Sequence, residues 1–464
     1  MRTSRYALLV AVVVASVGAG SARVGAGEDL AGVGDPYFPT LGNGGYDVEH
    51  YELDLDYDPA TDVLAGTATI EVRATQKLSV LHFDLRGLEV ASVTVNGGDA
   101  TYSREGDELV IEPGQPIKRD KSFTTEIAYS GVPQPGSDPA IPGEPLGWVA
   151  TATGSYVLAQ PDHAQTWFPA NDHPSDQATF TFRLTVPDPF VAVANGVEVD
   201  RKSSDGRITY VWEAKDPMET YLATVAVGDL VIEEDSGPSG IDIRNVFARD
   251  LADEARAATA NTREMIEFFS GEFGPYPFDV YGSLVINGPV QFALETQTMP
   301  IYGVLALRDP GFRQFVFPHE LAHQWFGDAV SLERYQDMWL NEGFATYGEW
   351  LWLDHEGAIP LDTSARNAHD VMSAAGGPPP GDPGPDGLFD VSVYFRGGLT
   401  LYALRSEVGE RDFEKTLRTY FKRFNGKTVT TPDFVKVAEQ VSGEDLQALF
   451  DTWLYDPALP PFPE

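Results

Sequence analysis

Pro318-His-Glu-Leu-Ala-His-Gln-Trp-Phe-Gly327 is the stretch from which the fold of the second half of the chain can be worked out. In an α-helix, His319 and His323 stand at i and i+4 and therefore lie on one face. Two imidazoles in that arrangement can bind one metal ion, and Glu320 beside them can reach a water molecule held there. Pro318 suits the first turn of a helix, where its missing N–H has no partner to lose. The stretch predicts a metal-binding helix that begins at about Pro318.

A chance arrangement on a surface helix is the alternative to a metal site. The chain has only 8 histidines, so a spaced pair with a glutamate between them is an improbable accident. The stretch is also flanked by large apolar side chains that would bury it: Phe315, Val316, Phe317, Trp325 and Phe326. Buried histidines beside a glutamate need a partner. The metal site is the better interpretation.

A third ligand is required, because a catalytic zinc ion has three protein ligands and one open position. Trp339-Leu-Asn-Glu-Gly-Phe-Ala-Thr-Tyr347 supplies Glu342 on a second helix that we expect to begin near Asp337. Glu349 lies two turns further along the same helix face and could hydrogen-bond a ligand imidazole. A solvated glutamate remains the alternative for Glu349.

The first 45 residues differ in composition from the rest of the chain. Arg2 and Arg5 precede the apolar run 7–17 and a group of small residues, which predicts a secretory signal over residues 1–22 and export from the cell. The Gly-rich residues 23–45 are expected to be a flexible lead-in.

The net charge of −38 disfavours nucleic acid as a partner, and no later run is long enough for a stable membrane anchor.

Two domains are expected after this lead-in. Residues 46–236 alternate apolar and polar positions with tight-turn signals between them, which predicts a large, β-sandwich-like all-β domain. Residues 237–464 are mainly helical with some strand-like runs, which predicts an α+β domain. Residues 375–387 are so rich in proline and glycine that they must form a loop.

Together, these motifs resemble the gluzincin aminopeptidases of the aminopeptidase N family. The resemblance rests on His-Glu-x-x-His, eighteen intervening residues and a Glu within Trp-Leu-Asn-Glu-Gly-Phe-Ala. Five shorter stretches also resemble signatures of that family: Phe168-Pro-Ala-Asn-Asp172-His-Pro, Ala178-Thr-Phe180, Gly274-Pro-Tyr-Pro-Phe278, Tyr394-Phe-Arg-Gly397 and Asp451-Thr-Trp-Leu454. The resemblance implies a thermolysin-like zinc metallopeptidase domain, one Zn²⁺ per chain, and peptide substrates with a free N-terminus.

The same resemblance implies roles for individual residues. Glu320 would be the general base and Tyr394 the donor to the oxyanion. Glu295 and Gln160 would bind the substrate amine, although Gln160 could instead simply end a strand. Phe292 and Thr296 stand where the family has Gly and Asn, so the substrate contacts there are expected to differ.

Other functions remain open from the sequence. A thermolysin-like endopeptidase shares the ligand pattern, but Glu295 disfavours binding in the middle of a peptide. A non-catalytic peptide-binding relative would be expected to have lost a ligand or the base. Epoxide hydrolysis, found in one branch of the family, depends on a further C-terminal domain that we expect this chain to lack; without that domain the site would be more open.

Overall fold

The fold is described from a computed structural model, which covers residues 31–288 and 290–463. The signal expected at residues 1–22 therefore lies outside the described residues. Within them, no helix combines the length and the apolar character needed to cross a membrane.

Among the described residues, the first part of the chain is a β domain of sixteen strands. Along its first strand Tyr51, Leu53 and Leu55 are buried while the residues between them are more exposed, as the alternating sequence requires. The strands are β1 (Tyr46–Asp58), β2 (Val63–Ala74), β3 (Leu81–Asp84), β4 (Glu89–Val95), β5 (Gly98–Asp99), β6 (Thr101–Glu105), β7 (Glu108–Glu112), β8 (Ser122–Gly131), β9 (Gly136–Asp138), β10 (Ile141–Thr151), β11 (Gly154–Leu158), β12 (Gln177–Pro187), β13 (Val191–Ala194), β14 (Val197–Ser204), β15 (Arg207–Glu219) and β16 (Val225–Gly228).

Two large sheets share the core of this domain. An eight-stranded sheet has the order β14-β15-β12-β1-β2-β8-β4-β5, and a five-stranded sheet has the order β13-β16-β11-β10-β9. Their inner faces meet in one hydrophobic cluster, where Tyr57 of β1 packs edge-on against Trp148 of β10 at 5.0 Å between ring centroids. A three-stranded sheet, β3-β7-β6, completes the domain. The expected β-sandwich-like architecture is confirmed.

The second part is an α+β domain, also as expected. Its sheet strands are β17 (Leu230–Ser236), β18 (Asp242–Ala248), β19 (Val280–Tyr281), β20 (Leu284–Val285), β21 (Ala293–Leu294) and β22 (Ile301–Tyr302), and a separate pair is β23 (Val330–Leu332) with β24 (Lys427–Val429). Its helices are α1 (Ala252–Ala258), α2 (Thr262–Phe273), α3 (Val304–Arg308), α4 (Pro310–His323), α5 (Trp339–His355), α6 (Leu361–Ala375), α7 (Val391–Val408), α8 (Glu410–Phe424), α9 (Thr431–Ser442) and α10 (Gln447–Phe450).

The division between the domains differs from the expected one at residues 236 and 237. Strand β17 pairs with β18 over its full length, and Gly237 to Gly240 form the turn between the two strands. Because β18 belongs to the sheet of the α+β domain, the division lies before Leu230. A turn within a hairpin and a turn between domains have the same glycine and proline signal in the sequence.

The end of the lead-in is packed and not flexible. Asp35, only 4% exposed, accepts backbone hydrogen bonds from Tyr37 and Phe38 and a third from Tyr335 of the α+β domain. It also lies 3.3 Å from the Nε2 of His173 in the β domain. The flexible segment expected at residues 23–45 is thus wrong for residues 31–45, because a buried carboxylate holds the chain between the two domains.

Arg244 on β18 also joins the two domains. Its guanidinium donates to the carbonyl oxygens of Gly196, at 2.5 Å, and Ala194, at 3.3 Å, and lies 4.5 Å from the ring centroid of Trp212. All three partners belong to the β domain. A buried cation is tolerated here because carbonyl oxygens and an aromatic face replace its water.

Replacing Arg244 should therefore destabilise the protein. We expect Arg244→Met to lower the free energy of unfolding by about 2–4 kcal/mol, because two buried carbonyls lose their donors. Urea unfolding followed by tryptophan fluorescence measures this. Arg249→Met is the control, since Arg249 forms an exposed ion pair with Asp229 and one long contact, 3.5 Å, with the Leu230 carbonyl oxygen, and its loss should change stability by less than about 1 kcal/mol. Equal effects of the two substitutions would contradict the proposed role of Arg244.

Candidate metal centre

Helix α4 carries the two histidines on its last turns. It begins at Pro310, where the side chain of Asp309 accepts a hydrogen bond from the Phe312 N–H and caps the helix. The sequence suggests that Pro318 lies in the first turn of the helix. In the structure Pro318 lies inside the helix instead. The start signal Asp309-Pro310 lies two turns upstream and determines where the helix begins.

Helix α5 supplies the carboxylates and packs against α4. It starts at Trp339, two residues after the expected position, and both Glu342 and Glu349 face inward. Glu342 is only 4% exposed. The structure therefore brings His319, His323 and Glu342 together, as the spacing predicted.

The three donor atoms form a compact triangle. The Nε2 atoms of His319 and His323 are 3.0 Å apart, and they lie 3.1 and 3.3 Å from Oε2 of Glu342. Ligand atoms at 2.0–2.1 Å from a tetrahedral zinc ion are separated by about 3.3 Å. Two imidazole lone pairs and a carboxylate this close together in a buried site need a cation between them, so the donor set fits one zinc ion.

The outer nitrogen of each histidine has its own acceptor. Nδ1 of His319 lies 2.5 Å from Oε1 of Glu349, and Nδ1 of His323 lies 3.1 Å from the carbonyl oxygen of Phe326. Each contact fixes Nδ1 as the protonated nitrogen and leaves Nε2 free to bind the metal. Glu349 is thus placed as the sequence suggested, and the Phe326 carbonyl is a partner that a sequence motif does not reveal.

The site concentrates carboxyl groups around two imidazoles, and burial and mutual repulsion shift their pKa values. Burial alone would raise the pKa of Glu342, but the adjacent His323 and His319 imidazoles outweigh burial and lower that pKa. Burial raises the pKa of Glu320 to about 8 despite the two imidazoles, and repulsion from Glu295 and Glu342 adds to the effect. A bound divalent cation would lower the pKa of Glu320 and favour its ionised form.

Glu320 and Glu295 line the same cavity as the three candidate ligands. Together with His323 they form a second group whose acceptor atoms are all within 4.8 Å of one another. Glu320 follows His319 on α4, whereas Glu295 comes directly after the short strand β21. The two carboxylates therefore reach the metal position from different elements.

Glu295 is held by two donors from the β domain. Gln160 Nε2 donates to its Oε1 at 3.1 Å and the Tyr221 hydroxyl donates to the same oxygen at 2.8 Å. The sequence suggested Gln160 but not Tyr221, which lies in a strand-like run with no motif around it. Burial raises the pKa of Glu295 against the opposing effect of His323, with further repulsion from Glu342.

Tyr394 reaches the site from the first turn of α7. Its ring lies 5.8 Å from that of His319, nearly parallel at 22°. Helices α5 and α7 can approach this closely because two glycines face each other: a Cβ on Gly343 would be 2.8 Å from the carbonyl carbon of Gly397. Glycine is needed at this crossing for steric reasons.

A cavity of about 450 Å³ is lined by the candidate metal ligands and by the other acidic, amide and tyrosine side chains described above, except that of Tyr221. Its outer walls are partly apolar, and most of the residues that form them belong to no recognisable motif. They are formed by Ala140, Ile141 and Pro142 of the β9–β10 hairpin, by Phe292, by Phe312 and Phe315 of α4, and by Phe389, which precedes α7. Glu144 and Gln291 add polar groups. The cavity thus lies between the two domains.

Loss of the carboxylate behind His319 should weaken metal binding. We expect Glu349→Gln to reduce zinc affinity by about 10–100-fold, because the amide is a poorer acceptor for the His319 N–H. Competition with a chromogenic chelator measures the affinity, and the untreated protein should contain one zinc ion per chain. Glu356→Gln, at the exposed end of the same helix, should leave the affinity unchanged. A Glu349→Gln variant that binds zinc like the control would contradict this role.

Comparison with known proteins places the chain among zinc peptidases. It is 24% identical over 449 residues to leucyl aminopeptidase of Saccharolobus solfataricus, covering 89% of this chain and 54% of that protein. It is 25% identical over 447 residues to glutamyl aminopeptidase of Sus scrofa, covering 87% of this chain and 46% of that protein. The chain spans about half the length of these curated relatives.

Solved structures match over nearly the full length. An M1 zinc metallopeptidase from Deinococcus radiodurans has a TM-score of 0.87 and 34% identity, covering 93% of this chain and 99% of that chain. A mutant of that protein bound to a Tyr-Ser-Ala substrate gives the same values. Within this chain, residues 47–222 match the Peptidase M1 N-terminal domain and residues 257–453 match the Peptidase family M1 domain. The chain belongs to peptidase family M1, and its cofactor is one zinc ion.

Proposed function

We propose that this protein is a secreted zinc aminopeptidase that hydrolyses the N-terminal peptide bond of peptides. The observation that carries the proposal is the buried Glu295, held by Gln160 and Tyr221 beside Glu320 and the metal ligands. Two relatives described as aminopeptidases and a related protein bound to Tyr-Ser-Ala support it. Export is supported by the charged, apolar and small-residue pattern of residues 1–22.

Recognition of the chain end would fall to Glu295. An ammonium group has three donors and needs acceptors, and a buried carboxylate gives it a charge-assisted hydrogen bond. The amide of Gln160 and the hydroxyl of Tyr221 fix the orientation of the Glu295 carboxylate before substrate arrives. An acylated or mid-chain nitrogen carries no charge and would leave this carboxylate without a counter-ion, which favours exopeptidase over endopeptidase action.

The hydrolytic step would use Glu320 as general base. When bound, zinc supplies Lewis acidity, which activates water as a nucleophile and polarises the peptide carbonyl. Glu320 is only 4% exposed and lies next to the candidate metal ligands. From there it would take a proton from the attacking water and pass it to the leaving amine. His319 and His323 would hold the metal together with Glu342.

Tyr394 would donate to the oxyanion that develops on the carbonyl. Burial, reinforced by Glu342, Glu295 and Glu320, raises the pKa of Tyr394 well above its usual value. The phenol therefore keeps its proton at neutral pH and is available as a hydrogen-bond donor. Its ring packing against His319 fixes where the hydroxyl can lie.

Hydrolysis of blocked and free peptides tests the aminopeptidase proposal. We expect a peptide with a free amine to be cleaved at least about 100-fold more efficiently than its N-acetylated form, since loss of a buried ion pair costs several kcal/mol. Glu295→Gln should reduce this ratio, mainly by raising KM for the free peptide. Equal cleavage of both peptides by the unaltered protein would favour the endopeptidase alternative.

Removal of the base tests the hydrolytic role of Glu320. We expect Glu320→Gln to lower kcat by about 10²–10⁴-fold, because the amide cannot accept the proton from water. Zinc content, measured by mass spectrometry, should remain at one ion per chain, which separates this loss from metal loss. Unchanged turnover in the zinc-loaded variant would rule out Glu320 as the base.

A further inference from the structure

We propose that Tyr37 is a positioning residue for substrate binding, although it lies in the N-terminal lead-in and far from the metal ligands in sequence. Through Asp382 and Gly384 it fixes the segment of residues 376–390, which we call the wall segment because its Phe389 lines the substrate cavity. The inference rests on the proposed peptidase function and identifies part of the surface that determines how tightly peptides bind.

The hydroxyl of Tyr37 makes two contacts with the tip of the wall segment. It donates to Oδ1 of Asp382 at 2.6 Å and accepts from the backbone N–H of Gly384 at 3.0 Å. Within the described part of the chain, these are the hydrogen bonds that join residues 382–387 to residues outside the wall segment. Apart from the burial of Pro383, the tip is therefore held chiefly by the hydroxyl of Tyr37.

The wall segment leads directly into the cavity. Five residues after Gly384, the ring of Phe389 lines the same cavity as His319, Glu320 and Glu295. Asp390 then caps α7 by accepting the Ser392 N–H at 2.9 Å. A displaced tip would first move Phe389, whereas the capped helix start protects the position of Tyr394.

Tyr37 can act as an anchor because its neighbours are fixed independently of the wall segment. Asp35 is buried by contacts with both domains, and the Phe38 ring packs edge-on against Tyr335 at 4.7 Å. Tyr335 in turn donates to the carbonyl oxygen of Pro161, next to Gln160 of the amine site. The lead-in therefore contacts both sides of the cavity through rigid groups.

Other contacts keep the wall segment folded, including the burial of Pro383 within the tip and a contact of Gln336 Nε2 with the Gly381 carbonyl oxygen at 3.5 Å. Gly381 N–H donates to the carbonyl oxygen of Leu454 at 2.9 Å, and Leu388 is fully buried. The segment is therefore expected to stay folded when the contacts of Tyr37 are lost, with its tip and Phe389 freer to move. Weaker substrate binding with intact chemistry follows from this arrangement.

The test compares two conservative substitutions. Tyr37→Phe removes the hydroxyl at the cavity wall, and Tyr402→Phe removes a similar Tyr–Asp contact, with Asp362, away from the cavity lining. We expect Tyr37→Phe to raise KM for a free tripeptide about fivefold, because both hydrogen bonds of the hydroxyl are lost, with kcat within about twofold of the unaltered protein. Tyr402→Phe should change neither constant. An unchanged KM in Tyr37→Phe, or a fall in kcat alone, would overturn the proposal.

Hydrogen–deuterium exchange supplies a measurement that does not depend on activity. Peptides covering residues 382–390 should exchange faster in zinc-loaded Tyr37→Phe than in Tyr402→Phe, with equal thermal unfolding midpoints. Asp382→Asn, which keeps an acceptor, should exchange like the unaltered protein, whereas Asp382→Ala should resemble Tyr37→Phe. Equal exchange in all variants would refute the positioning role. Absence of peptidase activity in the unaltered protein would instead overturn the proposed function.

Discussion

The accumulation of negative charge in a buried cavity is the constraint on which this site depends. Glu295, Glu320, Glu342 and Glu349 lie around two imidazoles, and among the described residues that line the cavity there is no lysine or arginine. Carboxylates removed from water and left without counter-ions would be costly to the folded state. The protein therefore needs cations from outside: a divalent metal held permanently between His319 and its neighbours, and in the proposed activity the ammonium group of a substrate.

Three helices and one short strand keep these groups at fixed separations. Helices α4 and α5 bring the histidines to Glu342, and the opposed glycines Gly343 and Gly397 let α7 approach closely enough for Tyr394 to face His319. Aromatic packing on the far side of α5, such as Phe344 against Phe434 at 5.1 Å, leaves little freedom for the helices to slide. The geometry of the metal site is thus a property of the helix crossings.

Sequence reasoning located the metal ligands because their spacing is set by a single helix and a motif on the next. Helix spacing suggested Glu349, and resemblance to a family suggested Glu295, Gln160 and Tyr394; all four line the cavity, and their roles remain predictions. Sequence reasoning failed where tertiary contacts decide. Tyr221 and Phe389 lie in stretches without a motif. Asp35 lies in a Gly-rich segment whose composition predicts flexibility, and only its buried contacts show that the segment is packed. The true helix start at Pro310 was hidden because Pro318 carries the same signal.

The amine site draws Gln160 and Tyr221 from the β domain, and this has a consequence for biogenesis. Domains generally fold as units, with the N-terminal one first during synthesis. Gln160 and Tyr221 are made before Glu295 and the metal ligands, all of which belong to the second domain. If the proposed activity holds, neither the choice of a peptide end nor its cleavage is possible until the second domain has folded against the first.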